Sequence, residues 1–162
     1  MSTHSSAPYL AARDAAPDAS RSALLERVVT QWQALLRSTL APLDLTPAQF
    51  RLLVAVAWLS ARSRTVRQAD VARVANADPV MTSEVLRHLE ARGLIARTPH
   101  PTDGRAKAII TTDAGGALAD RSARLIESVE AKFFEQGMHE FGPLAKALKK
   151  GGRGTLPLAT GR

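Results

Sequence analysis

From Ser22 the chain takes on a regular rhythm. Leu25, Val28, Val29, Trp32, Leu35, Leu36, Leu40 and Leu43 recur at steps of three and four residues. That spacing predicts a helix with a wide apolar face, ended near Pro42. A second start follows at once. Thr46-Pro47-Ala48-Gln49 offers a threonine N-cap, proline at the first helical position and a capping-box glutamine. Phe50, Leu53, Val54, Ala57 and Trp58 share one side of the helix expected over about 47–61. After a polar, basic link (Arg62, Ser63, Arg64), the stretch RQADVARVA over 67–75 reads as a short helix with Val71 and Val74 turned inward.

Asn76-Ala77-Asp78-Pro79 repeats the start logic, with aspartate as cap and proline behind it. The helix PVMTSEVLRHLEAR then stops at Gly93, a natural residue for the position just past a helix end. Two short β-branched stretches, GLIART and AIITT, flank PHPTDGRAK over 99–107. Two prolines, an Asp-Gly turn and two cations there describe a stiff, charged hairpin tip. Two short helices across a tight turn, a glycine stop and such a hairpin make a winged helix-turn-helix. Thr112 and Asp113 open one more helix, capped by the threonine and favoured by the aspartate near its positive end. Leu118, Leu125, Ile126, Val129 and Phe133 carry its apolar face to about Gln136, and Met138, Phe141, Leu144 and Leu148 suggest a short final helix.

Residues 1–20 show no periodicity and are rich in Ser, Ala, Pro and Asp, as a disordered arm would be. Residues 149–162, KKGGRGTLPLATGR, read as a disordered basic tail. Between them 21–148 is expected to form one domain, with the winged helix-turn-helix over about 46–112; a chain of 162 residues suits that.

The formal net charge of +7 points to an anionic partner, and its distribution says more. Residues 61–112 hold nine Lys or Arg against five acids, and 141–162 hold five against none, whereas 113–140 are net acidic. There is no cysteine, which removes disulfides, thiolate nucleophiles and thiol redox sensing. No apolar run approaches the roughly 18 residues of a membrane span, and the start lacks a secretory pattern, so a cytoplasmic protein without a membrane partner is expected. His4, His88, His100 and His139 lack metal-ligand spacing, so no metal is expected. The tail's GGRG follows no strand and opens no helix, and there are no paired carboxylates or nucleophile–base spacings. Neither an enzyme nor a cofactor is expected.

At 100° per residue, Met81, Thr82, Val85, Leu86 and Leu89 gather on one side of the 79–92 helix, and Val80, Ser83, Glu84 and Arg87 fall opposite. A helix in a major groove presents such outward N-terminal residues to base edges. Arg87 suits guanine, Glu84 can accept from cytosine, Ser83 is permissive, and Val80 can touch a thymine methyl. His88 lies on the flank, placed for a phosphate or a packing contact. The plainer use of each polar residue, taken singly, is as part of a solvated face. In the hairpin, Asp103 can fold onto the turn's amides or orient Arg105, which would reach a minor groove or phosphates. Arg67 and Lys107 complete the candidate DNA-binding set. Glu84 and Glu90, which phosphates would repel, leave a second class open: a winged-helix interaction scaffold that binds no DNA.

LTPAQFRLL (45–53), QADVARV (68–74), VLRHLEARGLIAR (85–97), PTDGRAKAI (101–109) and TTDAG (111–115) together resemble the MarR family of bacterial transcription regulators. The likeness spans roughly 22–148, and the Gly-Leu-Ile, Asp-x-Arg and Thr-x-x-Gly run is its most specific part. It implies a mainly α fold with a small β-hairpin wing, in which dimerisation helices over about 22–43 and 113–148 intertwine. A homodimer would then read an inverted repeat in double-stranded DNA, as a repressor released by a small-molecule effector. Asp103 and Arg105 match the family's wing pair, and Ser83, Glu84 and Arg87 fall where its recognition helix faces DNA. Glu84 departs from the neutral or basic residue usual there, and Thr111 stands where an aliphatic residue is common. Trp32 and Trp58 are the residues that could line an effector site, although the plainer reading, large core fillers on amphipathic helices, is the favoured one.

Overall fold

The computed structural model describes residues 20–63, 65–99 and 107–135. The chain divides into two units, residues 1–47 and 48–162. In the first, helix α1 spans Arg21–Leu40, with the Ser20 hydroxyl accepting from the Ala23 N–H at 3.2 Å. Sequence spacing carried this helix to about residue 43. Instead the backbone tightens into a 3₁₀ turn over Ala41–Leu43, and Asp44 takes a left-handed conformation (φ 51°). Pro42 has no N–H for another α-helical bond, which explains the change. Leu40, Leu43 and Leu45 are buried, whereas Leu24, Leu25 and Val29 are exposed.

The second unit begins within α2 (Pro47–Ser60) and continues through α3 (Gln68–Val74) and α4 (Pro79–Ala91). Strands β1 (Ile95–Pro99) and β2 (Lys107–Thr111) pair antiparallel, from Ile95 opposite Thr111 to Pro99 opposite Lys107. The Ile109 N–H on the far edge of β2 donates to the Val66 carbonyl at 2.8 Å, tying the segment before α3 to the hairpin. Helix α5 (Asp113–Glu135) closes the described chain. The elements are mainly helical with one hairpin, as expected. The wing tip, the final helix proposed around 138–148, the arm and the tail lie outside the described residues.

Leu52, Leu53, Val56, Val71, Leu86, Leu89, Ile95 and Ile109 are almost fully buried and form the centre of this unit. Three expected faces need correction. On α2 the buried set is Leu52, Leu53, Ala55 and Val56, while Phe50, Val54 and Ala57 are half-buried and Trp58 is exposed. On α3 Val71 is buried as expected, but its companion is Ala72, and Val74 is exposed. On α5 the buried stripe is Gly115, Ala119, Ser122 and Ile126, whereas Leu118, Val129 and Phe133 are half-buried and Leu125 is exposed. The small residues have a visible cause at the helix start. A Cβ on Gly115 would collide with the Leu94 carbonyl, so only glycine lets α5 come this close to the base of the wing.

The junction is cross-linked by Thr112. Its hydroxyl donates to the Gly93 carbonyl at 2.7 Å and accepts from the Gly115 N–H at 3.0 Å. Its own N–H donates to the Leu94 carbonyl at 3.2 Å. One threonine thus caps α5 and fastens it to the end of α4.

Candidate nucleic-acid interface

The orientation of α4 follows from its two ends. Asp78 accepts from the N–H groups of Val80 and Met81 at 2.8 and 3.1 Å, with Pro79 at the first helical position. At the other end, the Gly93 N–H donates to the Glu90 carbonyl at 2.9 Å and the Leu94 N–H to the Leu89 carbonyl at 3.0 Å. With Gly93 at φ 69°, this is a Schellman stop, which needs a residue that tolerates a left-handed backbone. Buried Thr82, Leu86 and Leu89 anchor the inner side, and the Thr82 hydroxyl donates to the Asp78 carbonyl at 2.7 Å.

The opposite side faces solvent. Val80 is 78 % exposed, an unusual setting for an aliphatic side chain at the start of a well-capped helix. Glu84, Arg87 and His88 are exposed beside it, and Ser83 is half-buried. The structure therefore brings Val80, Ser83, Glu84, Arg87 and His88 together on one helix, clear of the core.

Beside this helix, exposed Arg67 precedes α3, its backbone N–H donating to Asp70 Oδ2 at 3.3 Å. Asp70 also meets Arg73 at 3.4 Å. Between α3 and the start of α4 runs an open groove of about 610 Å³, with Gln68, Arg73 and Asn76 among its lining residues. These three were missed in the sequence because charge and motif reading singled out α4. Their marker is position: Gln68 and Arg73 lie on α3 and Asn76 on the turn that leads to the N-terminus of α4.

Glu90 and Arg97 meet at 3.4 Å, linking the last turn of α4 to β1. Glu90 was the second acid counted against a phosphate partner; it is engaged by a cation of the same chain, leaving Glu84 as the acid on the outward face. Lys107 opens β2 opposite Pro99, while Asp103 and Arg105 lie outside the described residues.

The two tryptophans separate in character. Trp32 is half-buried on α1 in the first unit. Trp58 is no core filler: it is 48 % exposed, with the Arg62 guanidinium 4.1 Å from its ring centroid and Arg62 Nη1 donating to its carbonyl at 3.0 Å. It lines a shallow groove of about 370 Å³ with Phe50, Arg51, Val54 and Val74. The apolar side expected to face the core is therefore the wall of a groove. Among the described residues there is no cluster of His, Cys, Asp or Glu fit to hold a metal, and no single helix long and apolar enough to cross a membrane.

The MarR family model matches residues 45–107. The HTH-type transcriptional regulator YdcH of Bacillus subtilis is 33 % identical over 122 residues, which is 75 % of this chain and 83 % of that protein. The chain belongs to the MarR family of transcriptional regulators. Two solved structures place its architecture within that family. A cysteine-to-serine variant of MarR from E. coli, complexed with operator DNA, is similar with a TM-score of 0.67 and 25 % identity; the match covers 78 % of this chain and 89 % of that one. CouR from Rhodococcus jostii RHA1, bound to p-coumaroyl-CoA, matches with a TM-score of 0.69 and 25 % identity over 83 % of this chain and 92 % of that one. The MarR family is one of regulators rather than enzymes, and its winged helix-turn-helix is the hairpin and helix pair described above.

Proposed function

We propose that two copies of this chain bind an inverted repeat in double-stranded DNA and repress transcription until a small molecule releases them. The observation that carries this reading is the outward face of α4. A helix capped at both ends and anchored by Thr82, Leu86 and Leu89 holds Val80, Ser83, Glu84 and Arg87 towards solvent. Arg87 donates to guanine, Glu84 accepts from cytosine, Ser83 takes either role, and Val80 meets a thymine methyl. His88, Arg67 and Lys107 serve phosphates, and Asp103 positions Arg105 at the wing tip for the minor groove. The operator-bound MarR variant supports the DNA-binding role.

Pairing is supported by bulky apolar residues left in water: Leu24, Leu25 and Val29 on α1, and Leu125 on α5. Effector binding is assigned to the Trp58 groove, with Trp32 as a further candidate, and the acyl-CoA-bound CouR supports a small-molecule site. The protein works in the cytoplasm, where its DNA lies. Titrating full-length protein against random-sequence duplex DNA across a salt series tests the reading. Binding should be measurable in dilute buffer and weaken with salt, with log K falling at a slope of about −0.9 per phosphate neutralised. No binding at any salt would identify a scaffold instead.

A further inference from the structure

We propose that the outward face of α4 reads 5-methylcytosine, with Val80 and Glu84 addressing one and the same modified base. The inference rests on the DNA-binding reading above and specifies the base chemistry that this face selects.

Two side chains carry it. Val80 is 78 % exposed, and it is held there rather than left loose. Its N–H donates to Asp78 Oδ1 at 2.8 Å, one residue past Pro79 at the helix start. Glu84 is exposed one turn further on, and among the described residues its side chain has no hydrogen bond or ion pair. Arg87 lies three residues beyond it, at a spacing that favours pairing, yet the two stay apart. A carboxylate on a surface that meets phosphates is repelled by them, so it needs a donor on a base edge to offset the cost.

Residues four apart on a helix stand about 5–6 Å apart at Cβ, and long side chains lean towards the N-terminal end. A glutamate at 84 therefore leans over the turn that holds Val80, which brings an acceptor beside an apolar surface. The complement of that pair is a base edge with an amine donor beside a methyl group. No standard base offers both in the major groove. Thymine has the methyl, but its O4 accepts and repels a carboxylate; cytosine and adenine have the amine and no methyl; guanine shows acceptors only. Cytosine methylated at C5 carries the amine and the methyl on adjacent ring carbons. The methyl that meets Val80 thereby sits on the cytosine of Glu84 rather than on a neighbouring thymine.

The test begins with selection by the full-length protein from two random duplex pools, one made with cytosine and one with 5-methylcytosine. The recovered sequence is then synthesised with 5-methylcytosine at each cytosine in turn, and with thymine in the same places, and Kd is read by fluorescence anisotropy. Methylation at one cytosine per half-site should tighten binding about fourfold, the worth of one buried methyl. Val80→Ala should make the methylated and unmethylated duplexes bind equally. At that same position thymine should bind more weakly than 5-methylcytosine, and Glu84→Gln should narrow the gap, because an amide can donate to O4. Both side chains are exposed, and circular dichroism checks that each variant keeps the fold. Methylation that is neutral or weakening at every cytosine overturns the proposal, as does a preference that survives Val80→Ala. It is overturned equally if Glu84→Gln relaxes a different position from the methyl-sensitive one, which would assign the two side chains to separate bases. Binding to neither pool would overturn the DNA-binding reading itself, and this inference with it.

Discussion

Gly115 and Gly116 are neighbours on one helix with opposite surroundings, and they form a matched pair for experiment. An added Cβ at Gly115 would strike the Leu94 carbonyl, main-chain atoms that cannot rotate away; at Gly116 it would meet nothing within 4 Å. Replacing a helical glycine by alanine gains about 0.5–1 kcal/mol in either position from backbone entropy alone. At Gly116 that gain stands unopposed. At Gly115 it is set against overpacking, which costs about 1–3 kcal/mol and reaches the upper end when the obstacle is backbone. Relief requires α5 to retreat from the wing base. Retreat stretches the Thr112 hydroxyl bond to Gly93 (2.7 Å) and the Thr112 N–H bond to Leu94 (3.2 Å). Each is worth about 1 kcal/mol. The net expectation is a loss of about 3 kcal/mol for Gly115→Ala and a gain of about 0.5–1 kcal/mol for Gly116→Ala. At about 2–4 °C per kcal/mol for a chain of this length, Tm falls by about 6–12 °C in the first and rises by about 1–4 °C in the second. Thermal unfolding followed by circular dichroism, at one protein concentration because self-association shifts Tm, gives both numbers. Equal shifts in the two variants, or a stabilised Gly115→Ala, would refute the close approach.

Removing the cap of the recognition helix, Asp78→Ala, should cost about 1 kcal/mol in urea unfolding, and Asp78→Ser should restore most of it. Arg87→Ala should cost about 1–3 kcal/mol in operator affinity, read by fluorescence anisotropy, and relax one base position. An equal loss on random DNA would make Arg87 a phosphate contact. Arg105→Ala should weaken operator binding mainly through A·T-sensitive flanking positions; unchanged affinity would remove the wing tip from the mechanism.

What could be read from sequence was local and chemical. Asp78-Pro79, Gly93 and Thr112 in its capping role each act through side-chain or backbone preferences that operate within four or five residues, and each does in the fold what its type implies. The bonds from Thr112 to the Gly93 and Leu94 carbonyls are long-range and carry no local signal. The faces of α2 and α5 were less legible, for two physical reasons. Helix α2, PAQFRLLVAVAWLS, is apolar on most sides, so periodicity selects no single buried stripe. Helix α5 inverts the usual link between size and burial. Gly115, Ala119 and Ser122 are buried because close approach favours small residues, while Leu125 stays exposed. Val74 was misplaced for a related reason: on a two-turn helix, Ala72 is small enough to sit inward beside Val71. The Glu90–Arg97 pair joins a helix to a strand across the glycine stop, a contact that no helical spacing rule reveals.

The outward residues of α4 were correctly placed by helical geometry, because the inward set of Thr82, Leu86 and Leu89 leaves no other arrangement. Under the proposed function, Glu84 on that face would give the operator a preference for cytosine where a cation would select guanine.

Selection of bound sequences from a random duplex pool, with full-length protein at moderate salt, tests the central claim most directly. Two copies presenting α4 to successive major grooves should recover an inverted repeat whose half-site centres lie about 10 bp apart. Recovery of a single unrepeated motif, or of no enriched sequence, would contradict the account.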